Sequence, residues 1–113
     1  MNNIPTRSPL LMSAEHTALL VIDVQEKFIP AIHNADLMIW NCDRLLQAAD
    51  LLDVRIAATE QYPQGLGATV EPLRSHFDAI PDKSMFSCRE CWPLFESMHK
   101  DGIHTILIAG IEA

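Results

Sequence analysis

The sequence predicts an α/β fold built on parallel strands, and three stretches carry that prediction. Thr17 to Ile22 is a continuous apolar run with β-branched residues, as expected of a strand covered on both faces. Met38, Cys42, Leu45, Leu46, Ala49 and Leu52 recur at helical spacing, one face of a long helix that Asn34 can N-cap. Val54 to Thr59 reads as a second strand. Strand, helix, strand is a right-handed βαβ unit by strong default, so the two strands are expected to be parallel.

The elements that follow are shorter. Gln61 to Ala68 contains Pro63, Gly65 and Gly67 and reads as a loop. Thr69 can cap a short helix running to about Asp78. Ser87 and Glu90 have the spacing of a capping box, opening a helix whose apolar face is Cys91, Leu94, Phe95 and Met98. Gly102 closes that helix, and Thr105 to Ala109 reads as a third buried strand leading into Gly110-Ile111-Glu112-Ala113. Residues 1–13 are polar, hold Pro5 and Pro9, and read as a flexible N-terminal arm before a domain over residues 14–113. A buried parallel strand normally feeds a helix that covers the sheet. The expectation is therefore a piece of a longer domain, incomplete at its C-terminus; cover by a partner chain is the alternative.

Composition narrows the function. Lys plus Arg is 8 against 15 for Asp plus Glu, a net charge of −7 that argues against binding a phosphate backbone. No apolar run approaches the roughly 20 residues of a membrane helix, and Leu10, Leu11 and Met12 are too few for a signal-peptide core. An odd set of 3 cysteines suggests reduced thiols and a cytoplasmic protein. Neither a nucleic-acid nor a membrane partner is expected.

Asp23, Glu60 and the Gly110-to-Ala113 turn fall at predicted strand ends. Open parallel sheets build their sites in the crevice outside those carboxyl ends. On spacing alone Asp23 could equally cap a loop, and Lys83, between Pro81 and the apolar Met85 and Phe86, could be a solvated surface lysine. Held together in a cleft, a carboxylate and an ammonium can act as proton acceptor and electrostatic stabiliser. Cys88 and Cys91 form a C-x-x-C at a helix start, where the dipole would lower a thiol pKa, which suggests a redox pair or half a zinc site. Against zinc, Cys42 and His16, His33, His76, His99 and His104 are not at ligand spacing. Cys91 also lies on the apolar helix face and reads as core, with Cys88 an ordinary first-turn residue. Tyr62 to Gly67 lacks the spacing of a phosphate loop and reads as a shaped, mobile lip, with Glu60, Gln61 and Tyr62 placed to line the crevice.

Four segments occur in order: Leu20-Val21-Ile22-Asp23-Val24-Gln25-Glu26-Lys27-Phe28, Thr59-Glu60-Gln61-Tyr62-Pro63-Gln64-Gly65-Leu66-Gly67, Lys83-Ser84-Met85-Phe86-Ser87 and Ala109-Gly110-Ile111-Glu112-Ala113. Together they resemble the isochorismatase-like hydrolases, a family of cysteine hydrolases. The second resembles the branch called isochorismatase-domain-containing proteins. The resemblance implies a Rossmann-like α/β/α sandwich with a mainly parallel sheet, here apparently truncated after its third main strand. It implies hydrolysis of a small amide, ureido or related compound by an Asp-Lys-Cys triad. Asp23 would be the general base and Lys83 the stabiliser of the thiolate, with the nucleophilic cysteine three positions beyond Ala113. Ile111 and Glu112 would form the oxyanion turn, with a cis peptide between them, and Gln25, Phe28, Gln61 and Tyr62 would contact substrate. Nicotinamidase-type members carry an Asp-x-His metal site after the second strand; Glu60-Gln61-Tyr62 stands there instead, so no metal or other cofactor is expected. A homo-oligomer is expected, since the family is commonly oligomeric. A non-catalytic interaction module on the same fold is the alternative.

Overall fold

The computed structural model describes residues 6–111. Four strands, β1 (Thr17–Ile22), β2 (Arg55–Gln61), β3 (Asp82–Lys83) and β4 (Thr105–Gly110), form a parallel sheet in the order β3-β2-β1-β4. Three helices accompany them: α1 (Ala35–Leu51), the single turn α2 (Pro63–Leu66) and α3 (Trp92–Lys100). The expected parallel α/β architecture is present, with α1 on one face of the sheet and α3 on the other.

Strand alternation sorts the core into two clusters. Leu19, Val21 and Ala58 point to the α1 side and pack with Cys42, Leu46 and Ala49, together with Leu73 and Phe77. Ala18, Leu20, Ile22 and Ala57 point to the α3 side and meet Met98 and Ile103. All six residues of β1 are buried, as a central strand covered on both faces requires. Fully burying a side chain such as Leu20 or Leu46 contributes about 1.5–3 kcal/mol, so Leu46→Ala is the kind of change that would loosen the α1 layer.

Both long helices stop the same way. Gly102 takes a left-handed conformation (φ 82), and the N–H groups of Gly102 and Ile103 donate to His99 O and Met98 O. This is the Schellman pattern, and it carries Ile103 back onto Met98. Asp53 (φ 57) repeats it after α1, where Asp53 and Val54 donate to Asp50 O and Ala49 O.

Several sequence expectations need correction. β2 runs through Gln61 instead of ending at Thr59, and residues 82–83 add a strand that two residues are too few to signal. β4 is not buried: Ile106, Leu107 and Ile108 are 37%, 39% and 57% exposed, because β4 is an edge strand among the described residues. Leu45 and Leu52, expected on the buried face of α1, stand exposed around an apolar groove of about 310 Å³ that Leu107 also lines. Thr69 opens no helix, since its N–H and hydroxyl both donate to the Glu60 carboxylate; only a 3-10 turn, Leu73–His76, follows. Ser87 caps as expected, accepting from the Arg89 N–H, but Glu90 turns back to Ser84 and the capping box is half made. The lip is a helical turn, α2, tied at both ends.

Candidate active site

The site is assembled where β1, β2 and β3 end. Ile22 pairs in register with Thr59 of β2 and with Gly110 of β4, and Gln61 with Lys83 of β3. Asp23 follows Ile22 in a left-handed conformation (φ 55), which Asp and Asn tolerate better than other side chains. Its N–H donates to Thr59 O at 3.1 Å, so the chain turns while still bonded to β2.

That turn sets the Asp23 carboxylate between two donors. Thr59 Oγ1 donates to Oδ1 at 2.9 Å, and Lys83 Nζ donates to Oδ2 at 2.7 Å. The ammonium also donates to Phe86 O at 2.8 Å and Met85 O at 3.3 Å, which uses all three of its protons. The Lys83 and Asp23 side chains are 0% and 1% exposed. Lys83 is therefore no solvated surface lysine. A buried charge without a partner is strongly destabilising, so each residue here requires the other.

Thr59, which no sequence motif marks as a site residue, is fully buried and holds one carboxylate oxygen. Its signal was faint: a polar β-branched residue ending an apolar strand, in register with the residue before Asp23.

Gln25 and Glu60 turn inward as well. Gln25 is 0% exposed; its amide nitrogen donates to Gln61 O and Gly67 O, and its amide oxygen accepts from the Gln61 N–H, each at 2.8 Å. All of its polar atoms hold backbone, which gives it a positioning task and leaves it no exposed face for a substrate. Glu60 accepts from the N–H and hydroxyl of Thr69 at 2.6 and 2.8 Å. Together the two fix α2 against the ends of β1 and β2.

Tyr62 is the exposed member of the group, at 57%. It lines an open cleft of about 360 Å³ with Gln64, Asp82, Lys83, Ser84 and Glu90. Gln61 is half-buried, and its backbone rather than its side chain makes the contacts to Gln25. Phe28 is half-buried in the 3-10 turn Glu26–Ala31 and does not line this cleft. Ile111 packs against the α1-side core, whereas Glu112, and with it the expected cis bond, lies outside the described residues. In the cleft the Ser84 N–H donates to Glu90 and holds its carboxyl below the usual carboxylate range.

Cys88 and Cys91 are free thiols, the first half-buried and the second buried. Burial pushes the Cys91 thiol up, the reverse of the lowering expected from a helix start. Among the described residues no three His, Cys, Asp or Glu side chains stand close enough together to hold a metal ion. No helix among them is long and apolar enough to cross a membrane.

Known proteins are similar to this chain in sequence and fold. The Isochorismatase domain profile matches residues 17–113. Isochorismatase domain-containing protein 2A of Mus musculus is 37% identical over 103 residues, which cover 87% of this chain and 47% of the mouse protein. The human isochorismatase domain-containing protein 2 is 35% identical over 97 residues, 86% of this chain and 47% of that protein. The chain thus spans about half the length of these curated relatives. Among solved structures, the MAR1 ribonuclease of Caenorhabditis elegans superimposes with a TM-score of 0.78 at 36% identity, covering 89% of this chain and 53% of that one. The octameric hydrolase YcaC of Escherichia coli shares the fold, with a TM-score of 0.76 at 17% identity, over 94% of this chain and 55% of that one. From strand ends to sequence relatives the findings agree: this chain belongs to the isochorismatase family.

Proposed function

We propose that this chain carries the acid–base part of a cysteine-hydrolase site acting on a small amide, ureido or related substrate. The observation that supports it most is the buried Asp23–Lys83 pair at the carboxyl ends of β1 and β3. In this reading the nucleophilic cysteine follows the turn that begins at Gly110, beyond Ala113. Asp23 takes the thiol proton, the thiolate attacks the substrate carbon, and Lys83 stabilises the charge that develops. The amine leaves with the proton that Asp23 took. Water, giving a proton back to Asp23, then hydrolyses the thioester, or the thiocarbamate that a ureido substrate leaves, to release the thiol.

Asp82 and Glu90 on the cleft wall, with a net charge of −7, favour a small uncharged or cationic compound over a phosphate backbone. A panel of small amides and ureido compounds tests the proposal. The 113-residue chain should show negligible turnover, and the protein continuing past Ala113 should show thiol-dependent turnover that Asp23→Ala abolishes. Thiol-dependent turnover by the 113-residue chain itself, lost in Asp23→Ala, would overturn the assignment of the nucleophile.

A second reading rests on the exposed edge of β4: a non-catalytic module that pairs this edge with another chain. Homo-oligomer formation through the edge is compatible with either reading. A well-behaved monomer by light scattering, at concentrations where the edge is exposed, would count against the module.

A further inference from the structure

Cys88 and Cys91 take no part in the chemistry proposed for Asp23 and Lys83, yet their placement is specific. They are the first and last residues of a four-residue 3-10 turn. With three residues per turn and a rise of about 2 Å each, side chains at i and i+3 of such a turn eclipse, about 6 Å apart at their Cα atoms. That separation lies inside the roughly 4.4–6.8 Å that a disulfide bridges without backbone movement. Cys91 is a buried residue at 4% exposure, and the half-buried Cys88 packs against the Met98 and Ile103 cluster. The remaining cysteine, Cys42, belongs to the cluster on the opposite face of the sheet. All three are free thiols.

We infer that Cys88 and Cys91 form a dithiol site that closes to an intramolecular disulfide on reaction with a small disulfide such as glutathione disulfide. The more accessible Cys88 reacts first. Its thiolate attacks one sulfur of glutathione disulfide, a mixed disulfide forms, and one glutathione thiolate leaves. Cys91 then gives its proton to solvent and its sulfur attacks the Cys88 sulfur, expelling the second glutathione thiolate. The two cysteines lose two electrons and two protons, and one glutathione disulfide becomes two thiols. Burial raises the Cys91 thiol and so lowers its thiolate fraction, but it also shields it from diffusing reagents. That leaves Cys91 the resolving partner, attacking within the turn, and Cys88 the first to react.

The site adjoins the Asp23–Lys83 pair through one short segment. Residues 84–87 run from Lys83 to the turn; Met85 and Phe86 give their carbonyls to the ammonium, and Ser87 caps the cysteine turn. Closing the disulfide fixes the far end of that segment.

Incubating the reduced chain with glutathione disulfide, blocking free thiols by alkylation and mapping peptides by mass spectrometry tests the inference. The expected product has lost two hydrogens, contains a Cys88–Cys91 linked peptide and retains an alkylated Cys42. In Cys91→Ser the reaction should stop at a glutathione adduct on Cys88, and in Cys88→Ser no adduct should build up on Cys91. A chain that stays fully reduced, a stable adduct on Cys88 in the unmodified sequence, or a linked peptide containing Cys42 would each overturn it. Circular dichroism of each variant confirms that the comparison is made on folded protein.

Discussion

Lys83 Nζ lies 2.7 Å from Asp23 Oδ2 across 60 residues of sequence, with both side chains shut away from water. Removing one partner leaves the other charge buried. Asp23→Ala should therefore destabilise the chain by about 3–5 kcal/mol, measured by urea unfolding. The double variant Asp23→Leu with Lys83→Met should recover much of the loss. If Asp23→Ala unfolds at the same urea concentration as the parent, the buried pair is not formed in solution.

Thr59 contributes a hydrogen bond to a charged acceptor, a class worth about 1.5–3 kcal/mol. Thr59→Val keeps the shape and loses the donor, so it should cost about that much; Thr59→Ser keeps the hydroxyl and should cost less. In the longer protein the reading adds a kinetic signature: Thr59→Val lowers kcat, with KM little changed, because the hydroxyl orients the base and does not face the cleft.

Gln25 holds α2 by three hydrogen bonds from a fully buried amide. Gln25→Leu strands the Gln61 and Gly67 backbone groups, each with a desolvation cost of about 1–3 kcal/mol. Hydrogen exchange read by mass spectrometry should show protection falling across residues 61–67, with the centre of β1 much less affected. A uniform loss over the whole sheet would contradict a local staple.

Gly110 occupies a backbone conformation (φ 150) that side chains rarely adopt, and a Cβ there would stand 2.3 Å from Ile22 O. Gly110→Ala must push β4 away from the end of β1, the residue before Asp23. We expect a lower melting temperature and altered NMR shifts at Asp23 and Thr59. An unchanged melting temperature would mean that this seam is looser than described.

Asp43 gives the pH prediction. His76 Nε2 lies 2.7 Å from Asp43 Oδ1, and this hydrogen bond holds the Asp43 carboxyl below the usual carboxylate range. A depressed folded pKa stabilises fully above the unfolded value of about 3.9, and the contribution is lost as pH falls through the folded value. For a pair this near the surface it amounts to about 1 kcal/mol or less. Asp43→Asn should be less stable than the parent near neutrality, and the gap should narrow as pH falls from about 3.9 through the lowered Asp43 value. An offset that persists unchanged into acid would assign the stability to packing instead.

The sequence made β1, α1 and β2 legible because their periodicities are long and consistent. It made Asp23 legible because a carboxylate after an apolar strand demands a partner. The partner was harder to see. Lys83 sits on a strand of two residues, too short for any pattern; Pro81, Met85 and Phe86 around it are equally compatible with a surface lysine, and the family motif is what pairs it with Asp23. The resemblance implies a substrate contact for Gln25, whereas its amide is spent on backbone; the sequence does not reveal which way a buried polar side chain turns. The apolar Ile106, Leu107 and Ile108 predict a buried β4; its exposure depends on what flanks it, and its own residues carry no signal of that.

β3 meets the sheet through two residues, bonded to β2 by the Glu60 N–H to Pro81 O and the Tyr62 N–H to Lys83 O. Segments with so few backbone bonds open at a fraction of the free energy of global unfolding. The cation of the site therefore rides on the least secured strand, while its carboxylate is anchored to the most secured one. Fluctuations that leave the core intact can still separate the two charges, letting water reach Asp23 for brief intervals. Assembly of the pair is then an equilibrium of its own, distinct from folding, and binding in the adjoining cleft that steadies residues 82–84 would draw it toward the closed side.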